Sequence, residues 1–235
     1  INESIRAILE IDSTHFYVAT AGGFAIFDLE QESFETFTHN IDDSSSISSS
    51  FILNIKRDFR GRIWIGTYGG GLNLFYPKTK TFQSWKESDG LSNNYICGIV
   101  AGFDGNIWLT TQHGLSMYNP RRDEFQNFYE HDGLQDDKFS IGAALQFNRN
   151  EMLIGGINGY NSFSPENIKT NSFAPPLHFT DFKLFNKSVD FIKEEGGMQE
   201  HISHLDKIVL SYDENMVTFH FAALNFIQSE KNKVS

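Results

Sequence analysis

The chain has 235 residues, with 19 basic residues against 30 acidic ones and a formal charge of −11. That balance argues against nucleic acid as a partner, because phosphates need a basic face. Aromatic residues make up 14%, 23 of them Phe, which excludes a disordered chain and favours strands.

In chain order, one pattern returns four times. It reads "THFYVATAGGFAIFDLEQESFETF" from Thr14, "GRIWIGTYGGGLNLFYPKTKTFQSW" from Gly61, "GNIWLTTQHGLSMYNPRRDEFQNF" from Gly105, and more weakly "NEMLIGGINGYNSFSPENI" from Asn150. The aligned positions Tyr17, Trp64, Trp108 and Leu153 are separated by steps of 47, 44 and 45 residues. Nine residues before each lie Ile8, Ile55, Ile99 and Ala144, and three earlier lie Ile5, Ile52, Ile96 and Ile141. Gly23, Gly71 and Gly114 each precede a Phe (Phe34, Phe82 and Phe125) by 11 residues. A period of that size is one four-stranded propeller blade.

The expected fold is therefore all-β, with residues 1–172 holding four C-terminal propeller repeats at about 4–40, 50–86, 94–129 and 138–168. In the third unit the strands fall near 94–101, 107–110, 115–118 and 125–128. The large ring at each Trp position and the outer Phe are expected to fill the space between blades. The fourth unit shows no aromatic pair for a fourth strand. One blade cannot cover both of its faces, so these repeats are expected to belong to a larger ring that begins upstream of Ile1.

Gly69-Gly70-Gly71 poses a separate question. A phosphate loop needs Lys and Ser or Thr after its last glycine and a helix to follow. Here Leu72 to Tyr76 alternates as a strand, so the glycines read as a packed turn. After Ala174-Pro175-Pro176 the repeat stops. Leu177 to Phe185, Lys207 to Ser211 and Met216 to Phe221 then read as strands of an Ig-like β-sandwich, of which residues 173–235 supply the N-terminal part.

The unit F-x-G-x-I-W-I-G-T-x-x-G-G-L resembles the two-component regulator propeller repeat, and "LSYDENMVTFHFAALNF" from Leu210 resembles the start of a Y_Y_Y domain. That order is similar to the periplasmic sensor region of Bacteroides-type hybrid two-component histidine kinases. The first unit departs from the pattern with Tyr17-Val18-Ala19, and the fourth with Leu153. The resemblance implies a sensor that detects glycan fragments outside the inner membrane, signals to a cytoplasmic kinase and regulator as a homodimer, and controls carbohydrate-utilisation genes. The fragment itself would be non-enzymatic and contact neither nucleic acid nor membrane.

The search for chemistry yields no catalytic set, no cofactor motif and no metal site. His201 and His204 lack a third ligand, and Asp42-Asp43 lacks the glycine and glutamate of a calcium loop. Asp136-Asp137 has the residue types of a glycosidase pair, but neighbours on a strand or loop point apart. Cys97 lies in an apolar strand and reads as a core thiol. In a blade, the loops between the second and third strands share an end with the loops entering the first. They carry Tyr68, Gln112, His113, Asn158 and Tyr160, with Asn93, Asn94, Asp136, Asp137 and Lys138. Rings beside amides and charges suit an oligosaccharide, whose faces are apolar and whose edges are hydroxyls. The alternatives are a propeller polysaccharide lyase or glycosidase, and a protein-binding propeller without a small ligand.

Overall fold

The computed structural model describes residues 4–168, 177–185, 187–188, 191–192, 199–200, 208, 210–213 and 215–223. By its contacts the chain divides into two units, Ile1–Lys169 and Thr170–Ser235.

The first unit is a series of antiparallel meanders. Blade 1 is β1 (Ile5–Glu10), β2 (His15–Thr20), β3 (Gly23–Asp28) and β4 (Ser33–Phe37). Blade 2 is β5 (Ile52–Arg57), β6 (Ile63–Thr67), β7 (Leu72–Tyr76) and β8 (Thr81–Trp85). Blade 3 is β9 (Ile96–Ala101), β10 (Ile107–Thr111), β11 (Leu115–Asn119) and β12 (Glu124–Phe128). Blade 4 has three described strands, β13 (Phe139–Asn148), β14 (Glu151–Gly156) and β15 (Gly159–Phe163). The first strands line up in sequence order, β1 against β5, β5 against β9 and β9 against β13. This is the propeller-blade architecture that the repeat period implies.

Strand alternation sends successive residues to opposite faces, and the core consists of the seams where those faces meet. Between blades 1 and 2, Tyr17, Phe24, Ile52, Ile63, Ile65, Phe75 and Phe82 pack together. Between blades 2 and 3, Trp64, Trp85, Ile96, Ile107, Leu109 and Tyr118 do so. Between blades 3 and 4, Trp108, Val100, Phe139, Met152 and Ile154 do so. Tyr17, Trp64 and Trp108 thus all face the following blade, while the flanking Ile63, Ile65, Ile107 and Leu109 face the preceding one. Asp123 crosses the middle seam, accepting from the Trp85 indole at 2.9 Å and the Tyr118 hydroxyl at 2.6 Å.

Two expected columns need correction. In the fourth unit, Phe139 stands where Ile96 stands in the third. It pairs with Gly156 as Ile96 pairs with Thr111, and it is buried, while Ile141 is exposed. The register shifts between Phe139 and Ala144, and Gly142 there has φ of 76°. Extra residues bulge out of β13 at that point, so the spacing of 45 that suits β14 misplaces the start of β13. The outer Phe column is also uneven. Phe82 is buried against Phe24 and Phe37 of blade 1, but Phe34 is 49% exposed and stacks only on Phe27 of its own blade. Its column faces the preceding blade, and blade 1 is the first blade described. β9 begins at Ile96, which leaves Asn94 and Tyr95 in the loop.

The triple glycine is packing. Gly71 has φ of 77°, and a Cβ on it would lie 2.1 Å from the Trp85 carbonyl oxygen. Its own carbonyl accepts from the buried Thr67 hydroxyl at 2.8 Å. Thr20 and Thr111 repeat that bond to Gly23 and Gly114, so in the first three blades a threonine locks the turn that follows it.

In the second unit, β16 (Leu177–Leu184) pairs with β20 (Val217–Ala223) and with β17 (Lys187–Ser188). A separate pair is formed by β18 (Phe191–Ile192) and β19 (Gln199–Glu200). Phe182 is buried and packs on Phe219. The strand expected over Lys207 to Ser211 is not seen at Ile208, Leu210 or Ser211, which lie outside strands, and Lys207 and Val209 are outside the described residues. His201 and His204 are also outside them.

Candidate functional site

In an antiparallel meander, the second-to-third-strand loops and the loops leading into each first strand fall at one end of the blades. The entering loops, 86–95 and 129–138, share a build. Each starts with a 3-10 turn, Glu87–Asp89 or Glu130–Asp132, whose last Asp accepts from the backbone N–H of Lys86 or Tyr129. Each is then tied down by the third strand of the next blade. The N–H of Ser92 donates to Ser116 Oγ at 3.0 Å, and that of Gln135 to Asn161 Oδ1 at 2.8 Å. The N–H of Ser48 does the same to Asn73 Oδ1 at 3.0 Å. The loop end is therefore pre-organised by buried polar side chains.

Most of the polar residues expected in the site serve that build. Asn94 Oδ1 accepts from the Glu87 N–H at 2.8 Å, and Asp137 Oδ1 from the Glu130 N–H at 2.7 Å. Asn93 Oδ1 accepts from the Tyr95 N–H, and Asp136 Oδ1 from the Lys138 N–H. Asn158 donates from Nδ2 to Asp136 Oδ2 at 2.9 Å. Gln112 reaches inward, donating to the Phe139 carbonyl and to Cys97 Sγ. Burial pushes the Cys97 thiol up, with the Gln112 bond acting against it. Asp136 and Asp137 each accept from a different loop N–H, and no described group of His, Cys, Asp and Glu gathers three ligands for a metal.

Five of the expected residues are exposed to solvent: Tyr68, His113, Lys138, Asn158 and Tyr160. Tyr68 is the centre of a cluster the sequence reading missed. Its ring centroid is 4.5 Å from that of Tyr95 and 5.3 Å from that of Phe51, and the Arg6 guanidinium lies 5.6 Å from the Phe51 centroid. Phe51 and Tyr95 immediately precede β5 and β9, and both are half-buried. Burial raises the Tyr95 pKa, and Cys97 and Tyr68 add to this while Arg6 opposes it. The phenol is therefore a neutral donor at physiological pH. On blade 3 a second group forms, with His113 5.4 Å from Tyr129 and Tyr129 stacked on His131 at 5.7 Å. His113 Nδ1 lies 3.8 Å from Asp137 Oδ2. A signal for these residues existed. "KESDGLSNNY" and "YEHDGLQDDK" are one loop motif, and its last position, Tyr95 or Lys138, opens onto the loop end.

Residues 46–69, which span the loop before β5 through β6, match the family described as two component regulator propeller. The chain carries a two-component regulator propeller repeat. It is 26% identical over 192 residues to histidine kinase P4 of Formosa agariphila, covering 81% of this chain and 14% of that kinase. The chain thus spans a small part of the curated relative it matches. Among solved structures, PorZ, a surface component of the type-IX secretion system of Porphyromonas gingivalis, superposes with a TM-score of 0.53 at 16% identity. The match covers 85% of this chain and 28% of that one. The extracellular domain of the hybrid two component system BT3049 from B. thetaiotaomicron aligns at 20% identity with a TM-score of 0.47, covering 93% and 35%.

Proposed function

We propose that this chain is part of the extracytoplasmic sensor region of a hybrid histidine kinase and response regulator, and that it binds an oligosaccharide at the loop end of its blades. The observation that carries the reading is the Phe51–Tyr68–Tyr95 cluster, three half-buried or exposed rings held on a loop end fixed by buried Ser, Asn and Thr side chains. Ring faces receive the apolar face of a pyranose, and the neighbouring phenols and the Arg6 guanidinium meet its hydroxyls. The histidine kinase relative and the propeller repeat at residues 46–69 support the same role.

In this reading the site faces the periplasm, and the fragment supplies recognition while catalysis lies elsewhere in the parent. Ligand favours one of two arrangements of a homodimer, since a ligand shifts an equilibrium only through differential affinity for its states. The output is control of carbohydrate-utilisation genes. The test is calorimetry of the whole sensor protein against an oligosaccharide panel. Tyr68→Ala and Tyr95→Ala are expected to weaken binding of the recognised sugar at least about tenfold, roughly 1.4 kcal/mol. Unchanged affinity in both variants, or no binding by any member of the panel, would overturn the assignment.

A further inference from the structure

The opposite end of the blades carries the first-to-second-strand turns. Phe59 and Phe103 hold the same turn position in blades 2 and 3, at 63% and 48% exposure. Their rings stack across the seam with centroids 4.4 Å apart and planes 21° from parallel. The corresponding turn of blade 4 supplies Arg149, whose guanidinium lies 5.6 Å from the Phe103 centroid. One continuous strip, ring, ring and guanidinium, thus runs over three successive blades. Beside it opens a cavity of about 330 Å³ lined by Phe103, Asp104, Arg149, Asn150, Pro165 and Glu166.

We propose that this strip and cavity form a second saccharide site, selective for a hexuronate unit. The cavity sits at the lower end of the size range of small-ligand pockets, which fits a single sugar ring. Arg149 makes no ion pair with any described residue, so its planar fork of N–H donors remains open to a carboxylate, the geometry at which arginine excels. Asp104 is already occupied by the N–H and side-chain amide of Asn106 and keeps the turn closed. Asn150 and Glu166 remain on the wall to meet hydroxyls, and the Phe103 edge meets the apolar flank of the ring. A neutral sugar would leave the guanidinium without its anion, and a purely aliphatic acid would leave the amide and carboxylate wall unused. Asp104 and Glu166 share the lining, so an anion is held here by direct contact with the guanidinium fork and not by a positive field.

The experiment titrates the whole chain with trigalacturonate, with the neutral galactotriose and with a hexaglutamate peptide. Trigalacturonate should bind, galactotriose at least about tenfold more weakly, and Arg149→Gln should remove a comparable factor. Arg149 is exposed, and its variant should keep the wild-type melting temperature. Phe103→Leu should weaken trigalacturonate as well, while Tyr68→Ala, at the other end, should leave it unchanged. The proposal is overturned if trigalacturonate does not bind, if Arg149→Gln binds it as well as wild type, or if the neutral trisaccharide or the peptide competes equally. It is also overturned if Phe59→Ala lowers the melting temperature while uronate never raises it, because the strip would then only rivet the turns together.

Discussion

The seam between blades 2 and 3 and the outward faces of blades 1 and 4 are built from the same columns of the same repeat, yet they end in opposite environments. Ile52 and Ile96 are wholly buried, whereas Ile5, their counterpart in blade 1, is 56% exposed. Trp64 and Trp108 are buried in a following blade, while Leu153 is only partly covered and its neighbours Leu145 and Phe147 on β13 are exposed. Burial here is a property of the neighbour, not of the blade. Each sheet covers one face by leaning on the next, so stability resides in the interfaces between repeats.

The sharpest way to break that comparison is at the aromatic column. Trp64 packs on Trp85 of its own blade and on Tyr118 across the middle seam, at centroid distances of 5.8 Å each. Trp64→Ala should cost about 3–5 kcal/mol in urea unfolding, the range for large core aromatics. Leu153→Ala, the same column in the last described blade, should cost well under about 2 kcal/mol. Equal losses would mean that the blades are stabilised individually. A milder version uses the isoleucine column. Ile96→Ala should cost about 2–5 kcal/mol and Ile5→Ala about 1 kcal/mol or less, both from the same unfolding measurement.

How far the sequence revealed this depends on which part is asked. The blades were legible because strand alternation and a 44 to 47 residue period impose side-chain type at fixed positions, and Trp64 and Trp108 mark the columns directly. The start of β13 was not, because the bulge around Gly142 changes spacing inside a strand while the turn after it restores the count. At the loop end, Tyr68 was legible as an exposed ring on a second-to-third-strand loop. Phe51 and Tyr95 were not, since a residue just before a strand looks like strand until the pairing is known. Asn94 and Asp137 looked like ligand-facing groups because residue type carries no information about whether an oxygen is already engaged. Their 3-10 turn partners, seven positions upstream, decide that.

The finest contrast lies within the tryptophan column itself. The Trp64 indole donates to Asp58 Oδ2 at 2.9 Å, and the same carboxylate takes the Arg62 guanidinium at 2.6 Å. Trp108 is equally buried, but its indole N–H has no acceptor among the described residues, because the position of Asp58 is held by Gly102. A Cβ at Gly102 would lie 2.4 Å from Asp104 Oδ1, so a side chain there requires Asp104 to swing aside. Trp64→Phe should therefore cost about 1 kcal/mol more than Trp108→Phe, since only the first leaves a buried partner unmet. Acidity sharpens the difference. Burial pushes the Asp58 pKa up, but its bonds to Trp64, Arg62 and the turn amides outweigh this, and the carboxyl titrates below its ordinary value. A depressed carboxyl contributes stability that is whole above the unfolded pKa of about 4 and is lost as pH falls through the folded one. The gap between wild type and Asp58→Asn in thermal unfolding should hence be largest near neutrality and close below pH 4, while the gap between wild type and Trp108→Phe should stay flat over the same range.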